Sequence, residues 1–341
     1  SRRHLPFSFL LGLVVLMVLG ISQRFFLKPD MFNLIFIQVF LIQLISYMHH
    51  RETKTLLIIP LLGILWFNLH LGAFIYGTAL ISIFLLASIV ARNWTAAKDI
   101  TLVLILFFGG FLINPYGVTD FLYPFQTFFS SHSSGFYNVK HVVMDLLPGT
   151  YIFQSFHYIH FHLLVLFGFV ALLFIRQHRL VFVLLWVCAL GSFLCVTRNS
   201  GFFTVVSLYI LIEAFKQGKL RDWLSEGRRG KLINAVLALL VGCYVCVQIY
   251  GICAKKVLYG RQISSYLGFA TNPVTESLIQ FLNEHHISGR VFNVQPIGGE
   301  LIWYGYPQLR HFIDGRFVLG VDALETYQLI LNDPAKNWPV A

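Results

Sequence analysis

The sequence predicts an α-helical polytopic membrane protein of about eight or nine transmembrane or half-membrane helices, ending in a small C-terminal α/β domain outside the membrane. Three observations predict it. Hydrophobic residues make up 57% of the chain and charged residues only 12%, against about 25% charged in ordinary soluble domains. The apolar residues come in long uncharged runs, which is how a bilayer is spanned. From about residue 254 the texture changes to short alternating helix and strand signals.

The candidate spans are 5–21, 31–48, 55–67, 71–91, 100–114, 158–175, 180–197, 200–215 and 232–253. Several are shorter than the roughly 20 residues a straight span needs. The first run follows Ser1-Arg2-Arg3-His4 and reads as a span, because no small-residue cleavage site follows it. The uncharged run from Thr55 to Val90 is too long for one helix, and Asn68-Leu69-His70-Leu71-Gly72 interrupts it. Two short helices meeting at that break are expected. Residues 1–253 thus form a transmembrane domain with an outer-face loop at about 115–157, and residues 254–341 form the second domain.

Charge placement orients the spans. With a cytoplasmic start and every run crossing, fourteen of the 25 Lys and Arg fall in cytoplasmic gaps. Only Arg24, Lys28, Lys140 and Arg198 fall in the gaps on the other side, and the remaining seven lie in the tail after Cys253. The positive-inside rule favours this arrangement and places the C-terminal domain extracytoplasmically. The net charge of +10 therefore reads as topology signal. It offers no basic face with interleaved aromatics for nucleic acid.

In the C-terminal part, Thr275 to His286 predicts an amphipathic helix with Pro273 at its start. Arg290 to Val294 and His311 to Asp314 predict strands. Gly298-Gly299 opens a helix through Trp303, and Asp322 to Leu331 predicts another. The chain stops where a further strand is expected, so it reads as a piece of a longer protein.

Chemistry-bearing residues gather on the outer side. Polar groups at a membrane are costly and mark pathways or sites. Asn68 and His70 sit at the break, where they suit a phosphate or a sugar hydroxyl; a helix cap and an interfacial His is the equal alternative. Arg198 lies alone between two apolar runs, against the positive-inside bias, and is a candidate for phosphate. Arg24 and Lys28 are further phosphate candidates. Asp120 and Asp145 are the carboxylates of the outer loop. Asp314 and Arg316 read first as a turn pair. His157, His160 and His162 do not share one helical face, and no carboxylate completes a metal set. Cys243 and Cys246 lie one helical turn apart among apolar neighbours and read as packing. The sequence holds no P-loop, nucleophile elbow or zinc-protease motif.

Four stretches together carry a resemblance: Lys28-Pro29-Asp30-Met31-Phe32; Trp66-Phe67-Asn68-Leu69-His70-Leu71-Gly72; Asn114-Pro115-Tyr116-Gly117; and, in the tail, Gly298 to Trp303 with Tyr306-Pro307 and Phe312-Ile313-Asp314-Gly315-Arg316. The chain resembles a group of bacterial multi-pass proteins related to the GT-C superfamily of glycosyltransferases. The resemblance implies transfer of a sugar from a polyprenyl-phosphate carrier to a glycan, lipid or protein acceptor at the outer face of the bacterial inner membrane. It implies a polyprenyl-phosphate-linked sugar as donor and leaves a divalent metal open. It also implies a catalytic carboxylate in a first outer loop that would precede Ser1, so the catalytic residue is unassigned, with Asp120 and Asp145 as weak stand-ins. The chain departs from the group in having Lys28 for Arg and Leu71-Gly72 for two glycines. Two rival readings remain. One is a non-enzymatic assembly subunit whose tail binds a partner protein. The other is a lipid or glycan transporter.

Overall fold

Helices dominate the computed structural model, with one two-stranded parallel sheet among the described residues. The structure describes residues 7–21, 31–70, 72–119, 121–122, 148–153, 158–218, 273–294, 297–314 and 320–333. It also describes helical positions 232, 235, 236, 239, 242, 243, 245, 246 and 250. They fall into two compact units, one up to residue 250 and one from residue 273.

The first unit is helical: α1 (Phe7–Ile21), α2 (Met31–His50), α3 (Thr53–Leu69), α4 (Gly72–Val90), α5 (Trp94–Gly110), the single turn α6 (Thr150–Phe153), α7 (Ile159–Phe174), α8 (Arg179–Cys195) and α9 (Ser200–Lys216). The expected break falls where the sequence placed it, between Leu69 and Gly72. One boundary moves. Helix α5 starts at Trp94 rather than near residue 100, because the Asn93 side chain caps it by accepting the Ala96 N–H at 3.2 Å.

Two of these helices, Met31–His50 and Ala73–Val90, are long and apolar enough to cross a membrane. Phe9–Ile21, Thr53–Leu69, Ile159–Phe174 and Arg179–Cys195 are apolar but shorter. A helix of 17 residues is about 25 Å long at 1.5 Å per residue, short of a hydrocarbon core of about 30 Å. The eight or nine spans expected from hydropathy thus correspond, among the described residues, to two helices of spanning length and several shorter apolar ones.

Helix α9 is the centre of this unit. It packs against α1, α2, α7 and α8, and nearly all its residues from Ser200 to Phe215 are buried. A helix apolar all round is stable only when neighbours cover it. A second nucleus joins α2, α3, α4 and α5. The Trp66 ring stacks on Phe36 at 5.2 Å and meets Phe40 edge-on at 5.1 Å. Phe107 of α5 enters between Gly63 of α3 and Gly77 of α4, where a Cβ on either glycine would collide with its ring.

The small unit contains α10 (Pro273–Glu284), β1 (Gly289–Val291), α11 (Gly298–Gly305), β2 (Leu309–His311) and α12 (Gly320–Asn332). The strands are parallel, with Arg290 beside Arg310. Ile279, Leu301 and Leu309 pack together, as do Ile313 and Tyr327 with Phe292 and Phe312. The second strand begins and ends earlier than the sequence predicts. Beyond His311 a side chain replaces the ladder: Asn293 Oδ1 accepts the Phe312 N–H at 2.8 Å and its Nδ2 donates to the Ile313 carbonyl at 2.7 Å. Gly298 allows α11 to abut this segment, since a Cβ there would collide with the Ile313 carbonyl.

Candidate functional site

Successive helices of the first unit run antiparallel, so their termini collect at two ends. The starts of α2, α4 and α9 and the finishes of α3 and α8 share one end, with Arg198 among them. Two hydrogen bonds organise it. The Trp66 indole donates to Asn33 Oδ1 at 2.7 Å, deep in the fold, with Asn33 itself 3% exposed. The Tyr76 hydroxyl donates to Asn199 Oδ1 at 2.6 Å. Asn199 Nδ2 donates in turn to the Ser192 carbonyl at 3.0 Å.

That second chain of bonds fixes the backbone that carries Arg198. Helix α8 ends because Val196 turns extended, and a single 3₁₀ turn, Thr197–Asn199, leads directly into α9. Asn199 stands at the N-cap of α9 but makes no side-chain cap bond; its amide holds Tyr76 and Ser192 instead. The positive end of the α9 dipole therefore lies beside the Arg198 turn. Ser200, in the first turn of α9, is fully buried, and its hydroxyl has no hydrogen-bond partner.

A cleft opens here, lined by Asn33, Leu34, Ile37, Tyr76, Arg198, Gly201 and Phe202. Its volume is about 10 Å³, room for about one water molecule. The lining mixes an amide, a phenol and a guanidinium with the apolar side chains of Leu34, Ile37 and Phe202.

Of the residues nominated from sequence, Arg198 lines the cleft. His70 forms the C-cap of α3: its N–H bonds the Trp66 carbonyl at 2.8 Å, and its carbonyl accepts the Ala73 N–H at 3.1 Å. Asn68 Nδ2 donates to the carbonyls of Ile64 and Ile113, at 2.8 and 2.9 Å, and so ties the end of α3 to the segment after α5. Arg24, Lys28, Asp120, Asp145 and Arg316 lie outside the described residues. His160 is buried while His162 is exposed, and among the described residues no group of three His, Cys, Asp or Glu is placed to hold a metal ion. Asn33 and Tyr76 were not singled out in the sequence. The signal for Asn33 was present: a lone amide in the first turn of an apolar helix.

The opposite end is ionic. Tyr47 donates to Asp99 Oδ2 at 2.6 Å, and the Arg51 guanidinium lies over the Tyr47 ring at 5.6 Å. Glu213, 3% exposed, meets His49 Nε2 at 3.4 Å and accepts from Gln217 at 2.9 Å. Gln217 Oε1 accepts the N–H groups of Arg176 and Gln177, at 2.7 and 3.0 Å, clasping the α7–α8 turn. His178, in that turn, faces His49 at 5.5 Å between ring centres. Burial, reinforced by His49 and Arg51 and opposed by Glu213, lowers its imidazole pKa below the ordinary 6.5.

No family model matches this chain, and no similar curated protein or solved structure was found.

Proposed function

We propose that the helical unit is embedded in a bilayer and that the Arg198 cleft binds the phosphate of a lipid carrier at the outer face, in a membrane glycosyltransferase of GT-C type. One observation carries the reading: Arg198 stands beside the positive end of α9, in a cleft lined by both polar and apolar side chains. A guanidinium is a strong partner for phosphate, and a helix N-terminus reinforces it. Leu34, Ile37 and Phe202 offer the carrier's hydrocarbon a path away from the head.

In the reaction so proposed, the acceptor hydroxyl attacks the anomeric carbon, the bond from that carbon to the carrier phosphate breaks, and the carrier leaves as polyprenyl phosphate. A carboxylate takes the acceptor's proton, with Asp120 and Asp145 the candidates in this chain. Arg198 stabilises the charge on the departing phosphate. The cleft is too small for a sugar ring, so the sugar lies outside it. A second reading, a subunit that docks a partner protein, draws on a different observation: Trp303 and Tyr306 of the small unit are 82% and 73% exposed.

The test is binding of a polyprenyl phosphate to the full chain in lipid nanodiscs. Arg198→Gln should weaken it by about tenfold or more, the scale of one hydrogen bond to a charged group. Equal affinity in the two proteins would remove the cleft from the carrier site and leave the partner-docking reading ahead.

A further inference from the structure

At the ionic end, three connections between antiparallel helices close in the same unusual way. Arg51 joins α2 to α3, Arg92 joins α4 to α5 and His178 joins α7 to α8, and all three have left-handed backbones, with φ of 59°, 53° and 54°. Glycine or asparagine fills such a position at lower conformational cost. The three side chains divide into two kinds. His178 is half-buried and belongs to the internal network with His49 and Glu213. Arg51 and Arg92 are exposed.

The two arginine turns are neighbours, since α2 packs on α4 and α3 on α5. The Tyr47–Asp99 hydrogen bond ties the end of α2 to the first turns of α5, close to the Arg92 turn. The Tyr47 ring beneath Arg51 steadies its guanidinium. Lys54 and Lys98 are exposed beside these turns. The acidic residues here are Glu52, exposed, and Asp99, which accepts from Tyr47. Trp94 follows the Arg92 turn and is 66% exposed. Tryptophan beside cationic side chains is the composition of a membrane interface at headgroup depth.

We infer that the paired α2–α3 and α4–α5 turns form a docking surface for anionic phospholipid headgroups, with Arg51 and Arg92 as the phosphate contacts and Trp94 as the interfacial anchor. This inference rests on the reading of the helical unit as membrane-embedded. Charge complementarity selects the partner: among the described residues of these two turns, four cations, Arg51, Lys54, Arg92 and Lys98, outnumber two carboxylates, Glu52 and Asp99, the second held by Tyr47. The left-handed arginines supply the second argument. A turn with only a structural task would be served better by asparagine, so the charge is what the position retains.

The experiment compares the full chain in nanodiscs of phosphatidylcholine and of phosphatidylcholine with phosphatidylglycerol, reading Tm in each. Phosphatidylglycerol should raise the wild-type Tm. Arg51→Asn and Arg92→Asn should each remove about 2–4 °C of that rise while melting in phosphatidylcholine at or above wild type. Losses of the same size in both lipids would mean that the arginines serve only their helix C-termini, and the inference would fall. It would fall equally if both variants kept the full rise, or if inorganic phosphate in phosphatidylcholine reproduced it. Failure of the chain to enter nanodiscs of either composition would overturn the membrane reading itself, and with it this surface.

Discussion

The two ends of the helical unit are built from the same helices and use opposite chemistry. At the Arg198 end the ties are neutral: indole to amide, phenol to amide, amide to carbonyl. At the Arg51 end they involve carboxylates and ring nitrogens: Tyr47 with Asp99, His49 with Glu213, Glu213 with Gln217. Neutral ties hold a geometry without adding a charge of their own beside the Arg198 turn. Ties to carboxylates lock turns together. On this contrast, the proposed ligand site lies at the end held by neutral ties, and the carboxylate ties brace the other.

The comparison can be broken in several places. The largest effect is expected from Trp66→Ala. It deletes a fully buried ring that stacks on Phe36 and meets Phe40 edge-on, and it removes the indole donor to Asn33 Oδ1. A loss of about 3–5 kcal/mol is expected, read by thermal unfolding in detergent. A smaller loss would place the rigidity of that end elsewhere. At the ionic end, Glu213→Leu should cost about 1–3 kcal/mol by removing the charged acceptor of the Gln217 amide, which keeps only its longer bond to the Gln177 carbonyl at 3.3 Å. Glu213→Gln should cost less, because its oxygen still accepts. If the two variants behaved alike, Glu213 would act through charge and His49 rather than through Gln217.

Tyr76→Phe removes one hydrogen bond and should cost only about 0.5–1.5 kcal/mol. It frees Asn199 and loosens the Arg198 turn, so it should weaken phosphate binding more than its effect on stability suggests. Combined with Arg198→Gln it should add nothing further to the binding loss. Full additivity would separate Tyr76 from Arg198.

The smallest effect is a pH dependence confined to the ionic end. His178 has its folded pKa below the ordinary 6.5, so the unfolded chain binds more protons than the folded one as pH falls. Its contribution is fully present above about 6.5 and is lost as pH falls from there through the folded pKa. His178→Asn suits the left-handed backbone and carries no proton, so its Tm should fall less between neutral and acidic pH than that of wild type. Identical slopes would remove His178 as a source of the acid sensitivity.

Much of the secondary structure was legible from local signals. The apolar runs located the helices, the interruption at Asn68–Gly72 located the α3–α4 junction, and the tail's pattern of helix and strand appeared in order. Errors came where a side chain overrode the run. Asn93 capped α5 early, and Asn293 replaced the strand ladder after His311. Hydropathy alone also counted spans that the helices, among the described residues, are mostly too short to make singly. For the site, Arg198 stood out because a lone cation between apolar runs is conspicuous. Asn68 stood out as well, yet its amide nitrogen bonds backbone carbonyls 4 and 45 residues away. No sequence signal distinguishes an amide that caps from one that binds.

What the sequence by itself determined is where most of the described helices lie and where the α3–α4 run breaks, because those follow from run length, caps and turn residues within a few positions. The tertiary structure decided which residues meet. Asn33 reaches Trp66 across 33 residues, Tyr76 reaches Asn199 across 123, and Tyr47 reaches Asp99 across 52. Each pairing depends on which helix packs beside which. That choice is made by the fit of Phe107 between Gly63 and Gly77 and by the covering of α9 on all sides, and no local pattern encodes it.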